Sequence, residues 1–335
     1  VIRRAFLTST FATTCGLSRA QAPRAIPGGV NLAGLEFNPE RLPGRVDTDY
    51  TAPNPREIDY YRSAGARLIR LPFLWERLQP DLHGGLDAQY AALIDAAIAA
   101  SRGMKIVLDA HQFGRRRVNA ALEIIGESAA VPSTAFAAFW RQVAARYQTN
   151  AAVIFNLQNE PHDQNTQQLV STQNDAIAAI RSVGAAQLVL VSGNAWSGAH
   201  SWMESGNGDA MLAVRDVAGK VAFDVHQYLD ANSSGAVATC QADAGHRLRA
   251  FSDWARLYGK RGFLGEFGAG ASASCLSELS ILLNEVSANP NLWVGWTYWA
   301  GGSWWPDAYP LTVKPQSLEN PIDRPQMRIL RRYFT

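Results

Sequence analysis

The sequence is short of charge, and neither sign is in excess. Charged residues are 18% of the 335, divided as 31 basic against 29 acidic. So even a balance gives no electrostatic footprint for a polyanion, and no nucleic-acid partner is expected. Long apolar runs are missing as well: beyond the first residues, none approaches the ~20 that a membrane-spanning helix needs, so the mature chain is expected to carry out its function without a membrane. Cysteine is scarce. The three present, Cys15, Cys240 and Cys275, allow no more than one intramolecular bridge. No glycine-rich phosphate turn follows the first apolar run, where Leu35-Glu36-Phe37-Asn38 stands instead, which argues against a doubly wound nucleotide fold.

What is plentiful is apolar and aromatic surface. Hydrophobic residues make up 47% of the chain, enough for a large core and too many for disorder. Ten tryptophans exceed what such a core needs, and flat indole faces suit stacking on the apolar faces of sugar rings.

The first residues read as an export segment. Arg3-Arg4-Ala5-Phe6-Leu7 opens a modestly apolar, Ser/Thr-rich stretch ending in Ala20-Gln21-Ala22, a small-x-small cleavage pattern. The paired arginines resemble a twin-arginine signal. Cleavage after Ala22 would remove Arg3, Arg4 and Arg19 and no acid, leaving 28 basic against 29 acidic residues. An exported location, periplasmic or extracellular, is expected, with residues 23–335 as one catalytic domain. Cys15 leaves with the signal, and Cys240 and Cys275 remain as an even pair in a disulfide-permissive compartment.

From there to the end, short β-rich runs alternate with Ala/Leu-rich segments at helical spacing. Eight strands are predicted: Val30 to Phe37, Arg67 to Phe73, Lys105 to His111, Ala152 to Asn159, Gln187 to Gly193, Val221 to Tyr228, Gly262 to Phe267 and Leu292 to Trp299. Helices are predicted over Asp87 to Arg102, Ser133 to Tyr147, Thr166 to Val183, Ala244 to Tyr258 and Leu276 to Ala288. Strands apolar on both faces, each followed by a helix, imply a parallel sheet, and eight such units close an α/β barrel, the (β/α)8 or TIM barrel. Chemistry then belongs at the C-terminal strand ends. Those ends carry Glu36 and Phe37, Arg70, His111, Asn159 and Glu160, Asn194 and Trp196, His226 and Tyr228, Glu266, then Trp296 and Trp299.

Two of these ends stand out. Val153-Ile154-Phe155-Asn156-Leu157-Gln158-Asn159-Glu160-Pro161 is a strand running out into Asn-Glu-Pro, and Gly262-Phe263-Leu264-Gly265-Glu266-Phe267-Gly268 ends on a lone carboxylate between glycines. Glycosidic hydrolysis needs one carboxylic acid at the leaving oxygen and a second carboxylate at the anomeric carbon, about 5 Å apart in retaining enzymes. A pair at the ends of strands four and seven can face each other across a barrel mouth.

With these motifs the sequence resembles glycoside hydrolase family 5, over essentially the whole mature chain. The resemblance implies a TIM barrel with Glu160 as acid/base and Glu266 as nucleophile. It implies a sugar-binding rim of Arg70 in Ile69-Arg70-Leu71-Pro72, His111, Asn159, His226 and Tyr228 in Asp224-Val225-His226-Gln227-Tyr228, and Trp299. Similarity is greatest to the endo-β-1,4-glucanases, through Asn-Glu-Pro-His and the segment from Trp296 to Trp305. Mannanase, xyloglucanase and lichenase activities share the catalytic set and stay open. No cofactor and no metal are implied, the substrate is a β-glucan and the protein is expected to be a monomer. No cellulose-binding module is expected after strand eight, which favours soluble or amorphous β-glucan.

The proposed roles set requirements. Glu160 must hold a proton near neutral pH, so its pKa is expected to be raised by burial and by Glu266. Glu266 must stay ionised beside Arg70, with Tyr228 as hydroxyl donor. Asn159 is placed to meet the 2-hydroxyl of the reacting sugar. Trp196 is read as a further sugar platform; Trp202, Trp304 and Trp305 stay open between platform and packing, and Trp140 and Trp254 read as core. Cys240 and Cys275 fall in the loops after strands six and seven, and a disulfide between them would stabilise the fold by roughly 4 kcal/mol.

Two other classes remain to be weighed. His111 and His226, each two residues after an aspartate, raise a metal-dependent hydrolase, although strand one offers no His-x-His pair. A sugar-binding barrel without catalysis would normally lack one of the two carboxylates.

Overall fold

A computed structural model describes residues 25–334. The expected export segment lies outside them. Eight parallel strands close a barrel: β1 (Gly28–Leu32), β2 (Leu68–Phe73), β3 (Lys105–Ala110), β4 (Val153–Asn156), β5 (Val189–Ser192), β6 (Val221–Tyr228), β7 (Gly262–Gly268) and β8 (Trp293–Gly301). Each pairs with its neighbours in sequence, and β1 closes the ring against β8. No helix among the described residues is long and apolar enough to cross a membrane.

The crossover helices follow from spacing and caps. Ser133–Tyr147 buries Phe136, Phe139, Trp140, Val143, Ala144 and Tyr147, one face at intervals of three and four. Side chains of Asn54, Asp87, Asn165 and Ser272 each accept a first-turn backbone N–H at a helix start. Trp140 lies in the core and its indole donates to the Leu157 carbonyl (3.1 Å), tying this helix to the chain leaving β4. Trp254 is core too, donating to the Gly208 carbonyl at 2.7 Å.

Two predicted elements differ in extent by more than a few residues, and one element was not predicted. β1 stops at Leu32, because Gly34 to Phe37 turn, with the Glu36 carboxylate accepting the Gly34 N–H at 2.8 Å. The helix predicted from Ala244 begins at Arg249: Asp243 has a left-handed backbone (φ 62°), and Ala244–His246 form only a separate 3-10 turn, with Glu278 of the next helix accepting the N–H groups of Asp243 and Gly245. An antiparallel hairpin, Arg115–Val118 with Ala121–Ile124, sits in the loop after β3. Its charged sequence, Arg-Arg-Arg, hides a strand whose anchor is the buried Arg116, lying over the Trp75 ring and donating to the Gln79 carbonyl.

Inside the barrel, period-two alternation stacks three layers. Leu68, Val107, Leu190, Ala222 and Phe263 form an apolar floor. Two residues further along their strands stand Arg70, Asp109, Ser192, Asp224 and Gly265, all but the glycine polar and fully buried. A further step reaches His111 and His226 at the mouth. The same alternation corrects Trp296, expected at the rim. It is buried outside the barrel, stacked on Phe334 at 5.3 Å, while Thr297 is the inward residue of β8.

Candidate active site

The polar layer is a charge network that faces no solvent. Arg70 on β2 donates to Asn31 (2.8 Å), Asn159 (2.7 Å) and Glu266 (2.6 Å), and lies 3.1 Å from Asp109 and 3.8 Å from Asp224. Asn156 bridges the two aspartates, donating to Asp109 at 2.9 Å and Asp224 at 2.7 Å. One guanidinium thus serves three buried carboxylates. The balance is completed by His111, 2.8 Å from Asp109, and His226, 3.5 Å from Asp224. Burial opposes charge on both rings, but these acids overcome it: His111 is raised, and His226 is pushed up to about 10.

Glu266 projects from β7 at a bulge. Val225 pairs with Leu264 but His226 pairs with Glu266, so Gly265 is the extra residue. Its carbonyl accepts from Asn31 (2.9 Å) and Thr297 (2.6 Å). Only glycine fits, since a Cβ would lie 2.1 Å from the Asp224 carboxylate. The bulge aims Glu266 at the mouth, where Oε1 meets Arg70 and Oε2 accepts from Tyr228 at 2.6 Å. Burial alone would raise this carboxyl. The charges of His226, Arg70 and His111, with the Tyr228 hydroxyl, outweigh it and hold Glu266 down at about 2.

Glu160 reaches the same point from β4. The ladder runs past the strand's formal end, with Asn159 N–H on the Ala110 carbonyl at 2.9 Å, and Glu160 then takes a left-handed backbone (φ 42°). Its Oε1 lies 2.7 Å from His226 Nδ1. Oxygens of Glu160 and Glu266 and a ring nitrogen of His226 lie within 4.8 Å of one another. Such a trio could ligate a cation. Here, however, both oxygens of Glu266 already have partners, in Arg70 and Tyr228. Asp109 and Asp224 serve the internal network, so the metal-hydrolase pairing of these residues with His111 and His226 is not built.

Aromatics line the mouth on both sides of the pair. Trp299 stacks on His111 at 5.5 Å, 13° from parallel, and meets Trp305 edge-on, which stacks on Tyr309 at 4.2 Å and takes Phe37 edge-on. Across β7 and β6 from Trp299, Trp196 is half exposed and borders a cavity of about 560 Å³ with Glu160, His200, Tyr228, Asn232 and Ser234. A second cavity of about 530 Å³ opens at the opposite end of the barrel, among Lys105, Lys220 and Arg261, far from these groups. Trp202 is packing: fully buried against Phe223, Phe251 and Trp254. Trp304 is exposed in the last loop. Cys240 and Cys275 form a disulfide that anchors the loop carrying Asn232 and Ser234.

Most of the predicted rim residues converge: Arg70, His111, Asn159, Glu160, His226, Tyr228 and Glu266 form one network, Trp299 joins it through His111, and Trp196 shares the cavity of Glu160, whereas Trp296 packs outside the barrel and Asn194 bonds to Gln164 and Thr166 in its own loop. Asn31, Asn156 and Thr297 were missed. Asn31 and Asn156 did carry a signal, a lone amide inside an apolar strand, which is costly unless satisfied.

A closed barrel with one carboxylate held ionised and a second carboxylate a few ångströms away, in a mouth walled by indoles, has the layout of a glycoside hydrolase. Residues 29–302 match the family model of cellulases, glycosyl hydrolase family 5. Endo-beta-1,4-glucanase B of Emericella nidulans is 34% identical over 292 residues, covering 86% of this chain and 85% of that protein. An endo-beta-1,4-glucanase structure from Xanthomonas axonopodis pv. citri superposes with a TM-score of 0.88 at 40% identity, covering 92% of this chain and 98% of its own. The structure of XacCel5A in complex with cellopentaose gives 0.88 at 38% identity, covering 92% and 99%. The chain belongs to glycosyl hydrolase family 5, the cellulases.

Proposed function

We propose that this protein is an endo-β-1,4-glucanase that hydrolyses β-glucan with retention of configuration, Glu266 acting as nucleophile and Glu160 as acid/base. One observation carries the reading: Glu266 sits between Arg70 and Tyr228, at 2.6 Å from each, and beside Glu160. A carboxylate so held is aimed as a nucleophile, with the second carboxyl beside it to serve the leaving oxygen.

In the first step Glu266 attacks the anomeric carbon as Glu160 protonates the departing glycosidic oxygen. In the second, Glu160 takes a proton from water, whose oxygen displaces Glu266 from the sugar. His226, protonated and 2.7 Å from Glu160, orients that carboxyl through both steps. Tyr228 remains a hydroxyl donor, since burial and the neighbouring acids push its pKa well up. Asn159 must place its carbonyl oxygen on Arg70, which can only donate. Its amide nitrogen lies 3.4 Å from His111 Nε2 and keeps a second N–H for the 2-hydroxyl of the reacting sugar, and Trp299 underlies that ring.

The two indole sites, on either side of the acid pair, favour a chain held at several sugars and cut internally. Xanthomonas and fungal relatives named endo-β-1,4-glucanases support β-1,4-glucan as the substrate. The reading includes a monomer, exported by the N-terminal segment. Product sizes from carboxymethyl cellulose, barley β-glucan, xyloglucan, mannan and xylan test it. Oligosaccharides released from the first two are expected; preference for mannan would overturn the glucanase assignment.

A further inference from the structure

We propose that His162 is a positioning residue that couples a sugar seated on Trp196 to proton delivery by Glu160. This rests on the reading of Glu160 as acid/base. The loop from Glu160 to Asp163 and the loop from Ala195 to Ser197 are fastened at two points. The Trp196 N–H donates to the Pro161 carbonyl at 3.0 Å, and the Trp196 indole lies flat on the His162 ring, 4.6 Å away and 8° from parallel. His162 covers one face of the indole; with Trp196 half exposed beside the cavity of Glu160, the other face is open to a sugar.

The ring of His162 is itself held. Its Nδ1 lies 2.8 Å from the Asp163 carboxylate and its Nε2 lies 3.2 Å from the Arg115 guanidinium. Arg115 can only donate, so Nε2 accepts and the proton sits on Nδ1, donated to Asp163. Phe113, on the same segment as Arg115, adds an edge contact at 6.4 Å. His162 is thus clamped between the segment that follows β3 and the loop that follows β5.

Both loops have left-handed backbone at non-glycine residues: Glu160 (φ 42°) and Asp163 (φ 50°) in one, Ala195, Trp196 and Ser197 (φ 53–56°) in the other. Such conformations persist only where surrounding contacts hold them. The direction of the Glu160 side chain depends on its own φ, and the contacts just described hold the residues immediately after it. A sugar pressed on Trp196 loads the same contacts. Trp196 lies on the far side of the acid pair from Trp299, where the leaving sugar sits, so the sugar that needs the proton is the one that braces its donor.

The test compares two leaving groups in single-turnover experiments with enzyme in saturating excess over substrate. Cellopentaose departs as a sugar and needs protonation; 2,4-dinitrophenyl β-cellobioside departs as a stable phenolate and does not. In His162→Ala the glycosylation rate on cellopentaose is expected to fall about tenfold, with the rate on the dinitrophenyl substrate within twofold of wild type. His162→Phe, which keeps a flat ring under Trp196, should recover most of the loss and covers the case in which the alanine variant folds poorly. Equal losses on both substrates, or weaker cellopentaose binding with an unchanged rate, would overturn the coupling. Glu160→Ala separates this from failure of the underlying reading: if that variant also slows the dinitrophenyl step, Glu160 is not the acid.

Discussion

Arg70 and Glu266 stand on β2 and β7, strands that do not pair, yet Nη1 and Oε1 meet at 2.6 Å across the barrel mouth. Together with the charge of His226, the contact holds the carboxylate down against a burial effect that acts in the opposite direction. Arg70→Lys keeps a charge but loses the fork that also reaches Asn159. The expected result is a fall in kcat of about 100-fold. Because the Glu266 pKa rises when its cation weakens, the acidic limb of the kcat/KM profile should move to higher pH. Measurement of that profile between pH 3 and 8 checks both.

The two acids are separated by chemical rescue. Glu266→Ala should abolish turnover, and azide should restore it with formation of a glycosyl azide of inverted anomeric configuration. Rescue of this kind in Glu160→Ala, but not in Glu266→Ala, would reverse the proposed roles.

Glu57 illustrates a buried acid outside the catalytic set. Burial pushes its carboxyl up to about 7, only partly offset by the N–H of Gly302 at 3.0 Å. The unfolded chain releases this proton near the ordinary 4.5, so stability falls as pH rises from there to about 7 and stays low above. Glu57→Gln keeps the carbonyl acceptor and removes the titration. Its Tm should exceed wild type at pH 8 and lose that advantage at pH 4, a difference of up to about 3 kcal/mol. Thermal melts at the two pH values decide it.

Trp196 and Trp202, six residues apart, should respond in opposite ways. Trp202→Ala empties a filled core site and is expected to lower stability by about 3–5 kcal/mol. Trp196→Ala should change stability little and raise the KM for cello-oligosaccharides several-fold. Denaturant midpoints and oligosaccharide kinetics on both variants distinguish the cases.

The Cys240–Cys275 bridge anchors the end of the loop that lines the cavity beside Glu160. Replacing both cysteines with serine should cost about 4 kcal/mol in the chain-entropy picture. Equilibrium unfolding of the double variant measures that loss.

The barrel and its rim were legible because period two and strand ends are properties of sequence: knowing that β6 ends at Tyr228 and β7 near Glu266 was enough to put the two together. Trp296 was misplaced because outward and inward positions alternate over the four residues from Trp296 to Trp299, and an indole suits either side. The three-residue left-handed turn at Trp196 was invisible, since no glycine marks it and its support comes from Asn194, Ser197 and the distant Asp224 carbonyl. His162 stood in the sequence only as the last residue of Asn-Glu-Pro-His. Its meaning depends on Arg115 and Trp196, which are brought to it only by closure of the ring.

Between β4 and β7 stand β5 and β6, whose ladder bonds hold the strands bearing Glu160 and Glu266 apart by a fixed span of sheet. The indole of Trp196 and the serines near it belong to connections that leave that ladder. Reaction type and polymer preference are therefore inherited from different stretches of chain. Grafting the connections after β5 and β6 from a relative with another taste in glycans should transplant the preference while the stereochemical course stays with the host.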